Sequence, residues 1–373
     1  MTTFTTIPTE TMTPPNGTTA VGSQTQWILE YWPALIANLY WDINQLPEWV
    51  RWMRFIGTFM IILVGFFGNT MTLVIMMDSA MRKHTYAWYI ATLAVCDNAM
   101  LSARFCSWLN MILLAMGKKA VIGFYNDVGC ILGEGIPDVM QITGAWMMAT
   151  IAFERFLIVW FPFITTRLSP KVARLIIVGV FIFAILSTLY YIIYIRFVSD
   201  VNFCAVPQEI GWITQLYLGF PMEYIPALVI IISNALVVFS LFRHRPTDTS
   251  KVSSKARNKI TAMLLLLTCS FLILTLPAWI FEGVVKRYFG SISGELPARE
   301  IIEFFYQMNY GINFFIYVIS GNEVRLVMKR RVLSCMRFVG VSFTRNPASS
   351  MYEDSLSIQT KRTMADISSS NHM

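Results

Sequence analysis

Seven apolar segments, at about residues 54–77, 85–114, 127–160, 172–195, 212–242, 258–285 and 300–319, set what this chain can fold into. Each reaches the roughly 20 apolar residues that a helix needs to cross a bilayer core. In hydrocarbon no water is at hand for an open backbone, so a run of this length closes its own hydrogen bonds as a helix. Only 14% of the 373 residues are charged and 55% are hydrophobic, where soluble domains carry roughly 25% charged residues. A soluble enzyme is excluded, and so is disorder of the whole chain. The expected fold is all-α: a polar segment at 1–53, a seven-transmembrane helix bundle at 54–320, a short amphipathic eighth helix at 321–340 and a tail at 341–373.

A formal net charge of +7 raises the question of nucleic acid, and the placement of the basic residues answers it. Residues 1–50 contain neither Lys nor Arg. Arg82 and Lys83 follow the first span, Arg167, Lys171 and Arg174 the third, and Arg243, Arg245, Lys251, Lys255, Arg257 and Lys259 the fifth, with eight more in the tail. Positive charge on alternate loops orients a membrane protein, so these loops and the tail face the cytoplasm. No nucleic-acid partner is implied. The expected location is the plasma membrane, multi-pass, with the amino terminus outside. The first 25 residues are Thr-rich without an apolar centre, so no signal peptide is visible and the first span directs insertion. Asn16-Gly17-Thr18 is either a glycosylation acceptor in that outer segment or a chance tripeptide. Residues 27–52 are aromatic-rich and suit the outer membrane surface, while Pro33, Asp42, Pro47 and Glu48 argue against an eighth span there.

Of six cysteines, Cys96, Cys106, Cys269 and Cys335 fall inside spans or at the cytoplasmic end. Cys130, at the outer end of span three, and Cys204, between spans four and five, share an oxidising compartment and can be joined, the alternative being two free thiols. A bridge there pins the outer loop above any central cavity. Cys335 follows Lys329, Arg330 and Arg331 and is either a palmitoylation site or a plain buried thiol.

Polar groups inside spans are costly and face the bundle interior. Asn69 follows Gly68, Asp97 ends Leu93-Ala94-Val95-Cys96-Asp97, Glu154-Arg155-Phe156 closes span three, and Asn313-Phe314-Phe315-Ile316-Tyr317 closes span seven. Singly, Asn69, Asp97 or Asn313 is no more than hydrogen-bond glue worth roughly 0.6 kcal/mol. Their joint order, with Pro226, Pro277 and the interval of 25 residues from Cys130 to Arg155, resembles the rhodopsin-like (class A) G-protein-coupled receptors over about residues 54–337. The departures are Phe314 for a helix-seven Pro, Phe156 for the usual Tyr, Thr275 for a Trp two residues before Pro277, Asn234 for a Tyr, and no Trp in span four.

The resemblance implies an extracellular ligand and a heterotrimeric G protein. Pro277 would act as the pivot of span six, whose inner half swings outward so that Arg155 leaves Glu154 for the G protein. Arg257 stands where some members place a Glu paired to the helix-three Arg, so Arg155 is expected to rest on Glu154 alone and ligand-free activity to be appreciable. Trp279 or Phe271 takes over the missing Trp's role of sensing the cavity. Asp97, Asn69, Asn309 and Asn313 form a polar centre that holds either a sodium ion or a hydrogen-bonded water network, Gly144 lacking the hydroxyl often found at its place.

The expected ligand-binding residues are Arg104, Glu134, Asp138, Gln141, Glu223, Trp279, Glu303 and Gln307. Four of these are carboxylates facing one guanidinium, Arg104, which attracts a cationic ligand; in the other reading Glu134 or Glu303 pairs with Arg104. Pro137 stands where amine receptors of the family carry an Asp, and residues 300–320 contain no Lys for a retinal Schiff base. The aromatic outer segment and acidic cavity look most like invertebrate FMRFamide-type neuropeptide receptors. A small amine or other small molecule is the alternative ligand. The tail, with Ser349, Ser355, Thr360 and Ser368 among its hydroxyls, is expected to be disordered and, once phosphorylated, to dock an arrestin-like partner, while the basic inner loops meet membrane lipids. A transporter or channel is the rival class; its internal repeats are not found. An enzyme lacks support, since His84, His244 and His372 are scattered and show no metal spacing.

Overall fold

The computed structural model describes residues 46–115, 126–161, 163, 168–198, 203–205, 219, 223–243, 251–281 and 295–338. Asn16 and the Ser/Thr-rich tail lie outside these residues, as do the side chain of Cys335 and most of the segment before Ile225. The chain divides into two compact units, residues 1–322 and 323–373. The described residues of the first unit hold seven long helices: α1 (Glu48–Met76), α2 (Thr85–Ala115), α3 (Asp127–Trp160), α4 (Pro170–Tyr194), α5 (Ile225–Arg243), α6 (Lys251–Ile280) and α7 (Glu295–Ser320). Between α4 and α5 a short antiparallel hairpin, β1 (Arg196–Val198) and β2 (Phe203–Ala205), pairs Phe197 with Cys204. The last helix, α8 (Asn322–Phe338), interleaves Val324, Leu326, Val327 and Leu333 with Arg325, Lys329, Arg330 and Arg331, the alternation of an amphipathic helix.

Seven helices in the expected places bear out the all-α bundle, with three shifts of boundary. α1 begins at Glu48 rather than near 54, and α7 at Glu295 rather than 300. The third concerns α6, which starts at Lys251, so Lys251, Lys255 and Arg257 belong to a helix and not to a loop. Hydropathy marks where a helix enters hydrocarbon, and a helix continues past that level wherever its polar turns are solvated. Five helical segments are apolar and long enough to cross a membrane by length and composition: α1, α3, α4, α5 and the Lys259–Ile280 part of α6. The other two are richer in polar side chains, Asp97, Asn98 and Arg104 in α2 and Glu303, Gln307, Asn309 and Asn313 in α7. The bundle is apolar outside and polar within: Leu175, Ile273 and Ile319 are over 70% exposed, whereas Asn69, Asp97 and Arg155 are at most 6% exposed.

α3 occupies the middle, packed against α2, α4, α5 and α6, and α1 closes the ring between α2 and α7. Lipid tails are as apolar as Leu, so close backbone approach does much of the packing between membrane helices, and small residues permit it. Gly65 of α1 meets Gly311 of α7, where an added Cβ on Gly65 would stand 3.2 Å from the Gly311 Cα. Three residues on, a Cβ on Gly68 would stand 2.8 Å from the Cβ of Phe314. The aromatic ring that replaces a helix-seven Pro thus fits because Gly68 opposes it, and it also meets Phe67 edge-on at 6.2 Å. Near the hairpin end α1 and α3 each contain a π-helical turn, Met53–Gly57 and Ile131–Gly135. The Trp108 indole of α2 donates to the Phe55 carbonyl inside the first of these at 3.0 Å and stacks on Phe59 at 4.8 Å.

Gly68→Ala is expected to force α1 and α7 apart and to lower the thermal unfolding midpoint of the receptor in lipid nanodiscs, overpacking costing about 1–3 kcal/mol. Gly179→Ala is the control: a Cβ there meets nothing within 4 Å, and no loss of stability is expected.

Candidate functional site

Two polar clusters and one small cavity lie along the bundle axis. The first cluster is at the end of the bundle away from the hairpin, where α3 brings Glu154 and Arg155 to the interior, 4% and 6% exposed. Arg155 Nη2 donates to Glu154 Oε1 at 2.7 Å. That pairing is as expected, but it is not alone. Thr85 at the start of α2 donates its hydroxyl to the same Oε1 at 2.5 Å, and the next residue, Tyr86, lies under the Arg155 guanidinium, 5.7 Å from ring centroid to Cζ. Arg155 is therefore held by α2 as well as by its neighbour. Glu154 Oε2 and Arg155 Nε have no hydrogen-bond partner, so the pair is single-pronged. A bidentate pair would be the stronger arrangement. Phe156 points away from this cluster, its ring 5.9 Å from Phe153, 6.1 Å from Trp160 and 6.0 Å from Phe161. Trp160 in turn donates to the Leu236 carbonyl at 3.0 Å, tying α3 to α5.

Midway along the bundle Asp97 Oδ2 accepts from Asn313 Nδ2 at 2.8 Å, joining α2 to α7. Asn69 donates to the carbonyl of Tyr310 at 2.9 Å, joining α1 to α7. The expected polar centre is thus built from two separate pairs that share α7. Asn309, the fourth member, is 5% exposed with its Oδ1 unpartnered, and it lines a cavity of about 20 Å³ together with Asp97. Gln141, Gly144, Phe271, Thr275 and Trp279 form other parts of that wall. Gln141 Nε2 and Trp279 Nε1 are buried donors without a protein acceptor. Trp279 meets Phe271 edge-on at 5.7 Å, so both aromatics named as substitutes for the missing Trp reach the cavity. Thr275, 1% exposed, turns its hydroxyl back to the Phe271 carbonyl at 2.7 Å. Pro277 lies inside α6 and removes one rung of its hydrogen bonding.

Toward the hairpin the expected ligand residues divide. Arg104 Nη2 stands 2.8 Å from Glu303 Oε1, which agrees with the second of the two expected readings, in which Glu303 pairs with Arg104, and not with four carboxylates facing one open guanidinium. Gln307 donates to Glu303 at 3.5 Å and accepts from Thr58 at 3.1 Å, so a polar chain runs from α1 through α7 to α2. Arg54 and Glu300 add a second α1–α7 link at 3.1 Å. Arg104, Glu303 and Gln307 therefore belong to an internal network and do not line the cavity that Gln141 and Trp279 share. Glu134 lies in the π turn of α3, Asp138 one turn further along it, and Glu223 just before α5, 6% exposed. None of these three lines the cavity either. Tyr317, buried at 1%, has its hydroxyl unpartnered; one helical turn earlier lies Asn313, bonded to Asp97.

The cysteine pairing expected from the shared compartment is present, Cys130 to Cys204 with 5.5 Å between Cα atoms. Cys130 and Ile195 are fully buried, with Ile131, Phe197 and Cys204 around them, and the Phe197 amide donates to Asp127 at 2.7 Å. The hairpin is thereby fixed to the first turn of α3. Thr85, Tyr86 and Thr58 are site residues that sequence reasoning missed. Their level in the bundle is readable from their place in the spans, but which face of a helix meets which neighbour is not.

Comparison with known proteins agrees with this arrangement. The family described as 7 transmembrane receptor (rhodopsin family) matches residues 68–317. Mouse (Mus musculus) cysteinyl leukotriene receptor 1 is 24% identical over 226 residues, 57% of this chain and 60% of its own length. Mouse somatostatin receptor type 2 is 24% identical over 236 residues, 60% of this chain and 61% of its own. Rat (Rattus norvegicus) medium-wave-sensitive opsin 1 is 28% identical over 144 residues, 38% of each chain. The chain spans about six-tenths of the length of the leukotriene receptors it matches. With a family match over most of the sequence, a seven-helix bundle, and Asp97, Arg155, Asn313 and Tyr317 in their places, the chain belongs to the rhodopsin family of seven-transmembrane receptors, whose members are multi-pass membrane receptors and not enzymes.

Proposed function

We propose that this receptor lies in the plasma membrane with its amino terminus outside and binds an extracellular basic or amidated peptide at the hairpin end of the bundle. It then activates a heterotrimeric G protein at the Arg155 end. The observation that carries the ligand class is the placement of acidic residues: Glu134, Asp138 and Glu223 lie near the hairpin end of α3 and α5, where Arg104 is engaged by Glu303. Three carboxylates between low-dielectric walls favour a cation. A relative named for the peptide somatostatin supports a peptide ligand. The relative named a leukotriene receptor favours a second reading, a small anionic ligand that competes with Glu303 for Arg104. An FMRFamide-type peptide is the specific form of the first reading, and it rests on the resemblance of the outer segment and the acidic residues alone.

In this mechanism the ligand selects a packing in which the inner half of α6, hinged at Pro277, moves outward. Arg155 then exchanges Glu154, Thr85 and Tyr86 for the G protein. Its single-pronged tie to Glu154 makes that exchange less costly than release from a bidentate pair. Asp97 and the unpartnered Asn309 Oδ1 are the residues that would hold a sodium ion, which would supply positive charge to balance the buried carboxylate. Gly144 adds no side-chain oxygen, so the protein offers a sparse set of ligands. Phosphorylated tail hydroxyls recruit an arrestin-like partner, and the basic residues of the inner loops and α8 meet anionic lipid headgroups.

A second-messenger screen of cells expressing the chain against amidated peptides, with amines and anionic lipids in parallel, decides between these ligands. With a basic peptide agonist in hand, Glu223→Gln is expected to weaken it about tenfold, or about 1.4 kcal/mol, and to leave an uncharged analogue nearly unaffected. Equal losses for the two would remove the charge assignment. Arg155→Gln is expected to abolish agonist-driven nucleotide exchange while the receptor still reaches the cell surface; a normal response from that variant would refute the role given to Arg155.

A further inference from the structure

α5 and α6 are joined by a buried side-chain pair that the mechanism above does not use. Asn234 Nδ2 donates to Thr268 Oγ1 at 3.0 Å, and Thr268 Oγ1 lies 3.2 Å from Asn234 Oδ1. Asn234 is 8% exposed and Thr268 1%. The same amide nitrogen reaches Cys269 Sγ at 3.7 Å. We propose that the Asn234–Thr268 pair is the latch that holds the inner half of α6 against α5 in the resting receptor and so sets its ligand-free activity.

Three observations support the assignment. Arg155 is already taken by Glu154, Thr85 and Tyr86, and the sequence puts Arg257, a like charge, in the inner part of α6, so Arg155 has no acidic partner at that position to restrain α6. α5 is a fixed post: it packs along α3, where the Trp160 indole holds the Leu236 carbonyl and Trp160 stacks on Phe239 at 6.4 Å. By contrast α5 and α6 touch only lightly, and among the described residues Asn234 makes the side-chain hydrogen bonds between them, to Thr268 and Cys269, which gives it a large share of their mutual attraction. Thr268 also lies nine residues from Pro277, about 13 Å along the helix axis, so a swing hinged at the proline displaces it.

The two partners do not lose equally when they part. Thr268 retains a place for its hydroxyl on its own helix, at the Leu264 carbonyl 3.0 Å away. Among the described residues the Asn234 amide donates to Thr268 and Cys269, both on α6, so on separation it is left with Cys269 or with neither. An amide stranded away from water is what makes separation costly. The latch is thus closed by the needs of Asn234 and opened by movement of Thr268. Because the unlatched state still finds some partner, a modest effect is expected, not an absolute block.

The decisive experiment uses the full-length receptor in nanodiscs without ligand, spin-labelled through ketone-bearing residues placed at position 242, at the inner end of α5, and position 259, in the inner half of α6. Asn234→Leu and Thr268→Val keep size and remove the hydrogen bond. Each is expected to raise the population with α5 and α6 far apart about threefold to tenfold. The double variant is expected to do no more than either single one, since all three lose the same bond. Thr268→Ser, which keeps the hydroxyl, is expected to match the unmodified receptor. Unchanged distances in folded Asn234→Leu and Thr268→Val, or effects that simply multiply in the double variant, would overturn the latch. Lowered thermal stability with no change in distance would do the same, by reducing the pair to packing. Should Asn234→Leu not fold, Asn234→Ala takes its place. The signalling side rests on the G-protein reading and is measured separately, as ligand-free nucleotide exchange on purified G proteins. Distances that shift without exchange on any of them leave the latch standing and count against that reading alone.

Discussion

A charge or an amide inside a hydrocarbon layer has no solvent to fall back on, and this is the constraint from which the structure follows. Asp97, Asn69, Glu154, Arg155, Asn234 and Asn313 can exist in the spans only because each finds a partner on the protein. Most of those partners are on other helices. The polar residues therefore fix how the helices rotate about their axes, while Gly65, Gly68 and Gly311 fix how closely α1 and α7 approach. Leu and Ile side chains facing lipid would accept many rotations. Amides and carboxylates facing inward accept few.

α7 shows how one helix can collect these demands. Its residues answer Arg54, Thr58 and Asn69 of α1 and Arg104 and Asp97 of α2, all within six turns. α1, α2 and α7, three of the seven long helices, are thereby laced together. Among the described residues α6 carries fewer polar ties to its neighbours, the Asn234–Thr268 pair among them. An element that must move between two packings is held by weak contacts for that reason, since the two states can differ by only a few kcal/mol. Rigidity along α1–α2–α7 and looseness of α6 are two sides of one distribution of hydrogen bonds.

Much of this was readable in the order of residues along the chain, because hydropathy and length report burial in a bilayer directly. The seven spans, the Cys130–Cys204 bridge, the Glu154–Arg155 pair and the Asp97–Asn313 meeting were all legible, the last two from a family pattern. Rotation about a helix axis was not legible. Thr85 and Tyr86 lie at the level of Arg155, as several other residues do, and only their azimuth brings them to it. The same applies to Arg104, which the sequence offers four carboxylates; geometry gives it Glu303 and leaves Glu134, Asp138 and Glu223 to other surroundings. Phe314 for a proline reads as a defect in sequence, yet against Gly68 it is an interlocking fit.

The π turn at Ile131–Gly135 separates Cys130 from everything that follows in α3. A turn of that kind holds about one residue more than an α-helical turn, which offsets the facing of all side chains beyond it by about 100°. The interval from Cys130 to Arg155 is accordingly a phase as well as a length. Removing one residue from 131–135 would restore a regular helix with the sulfur and the guanidinium facing nearly as they do now, whereas keeping every residue in a regular α-helix would turn the sulfur about 100° away from its neighbour. The spacing that identifies these two residues in a sequence records the angle between the two mouths of the bundle.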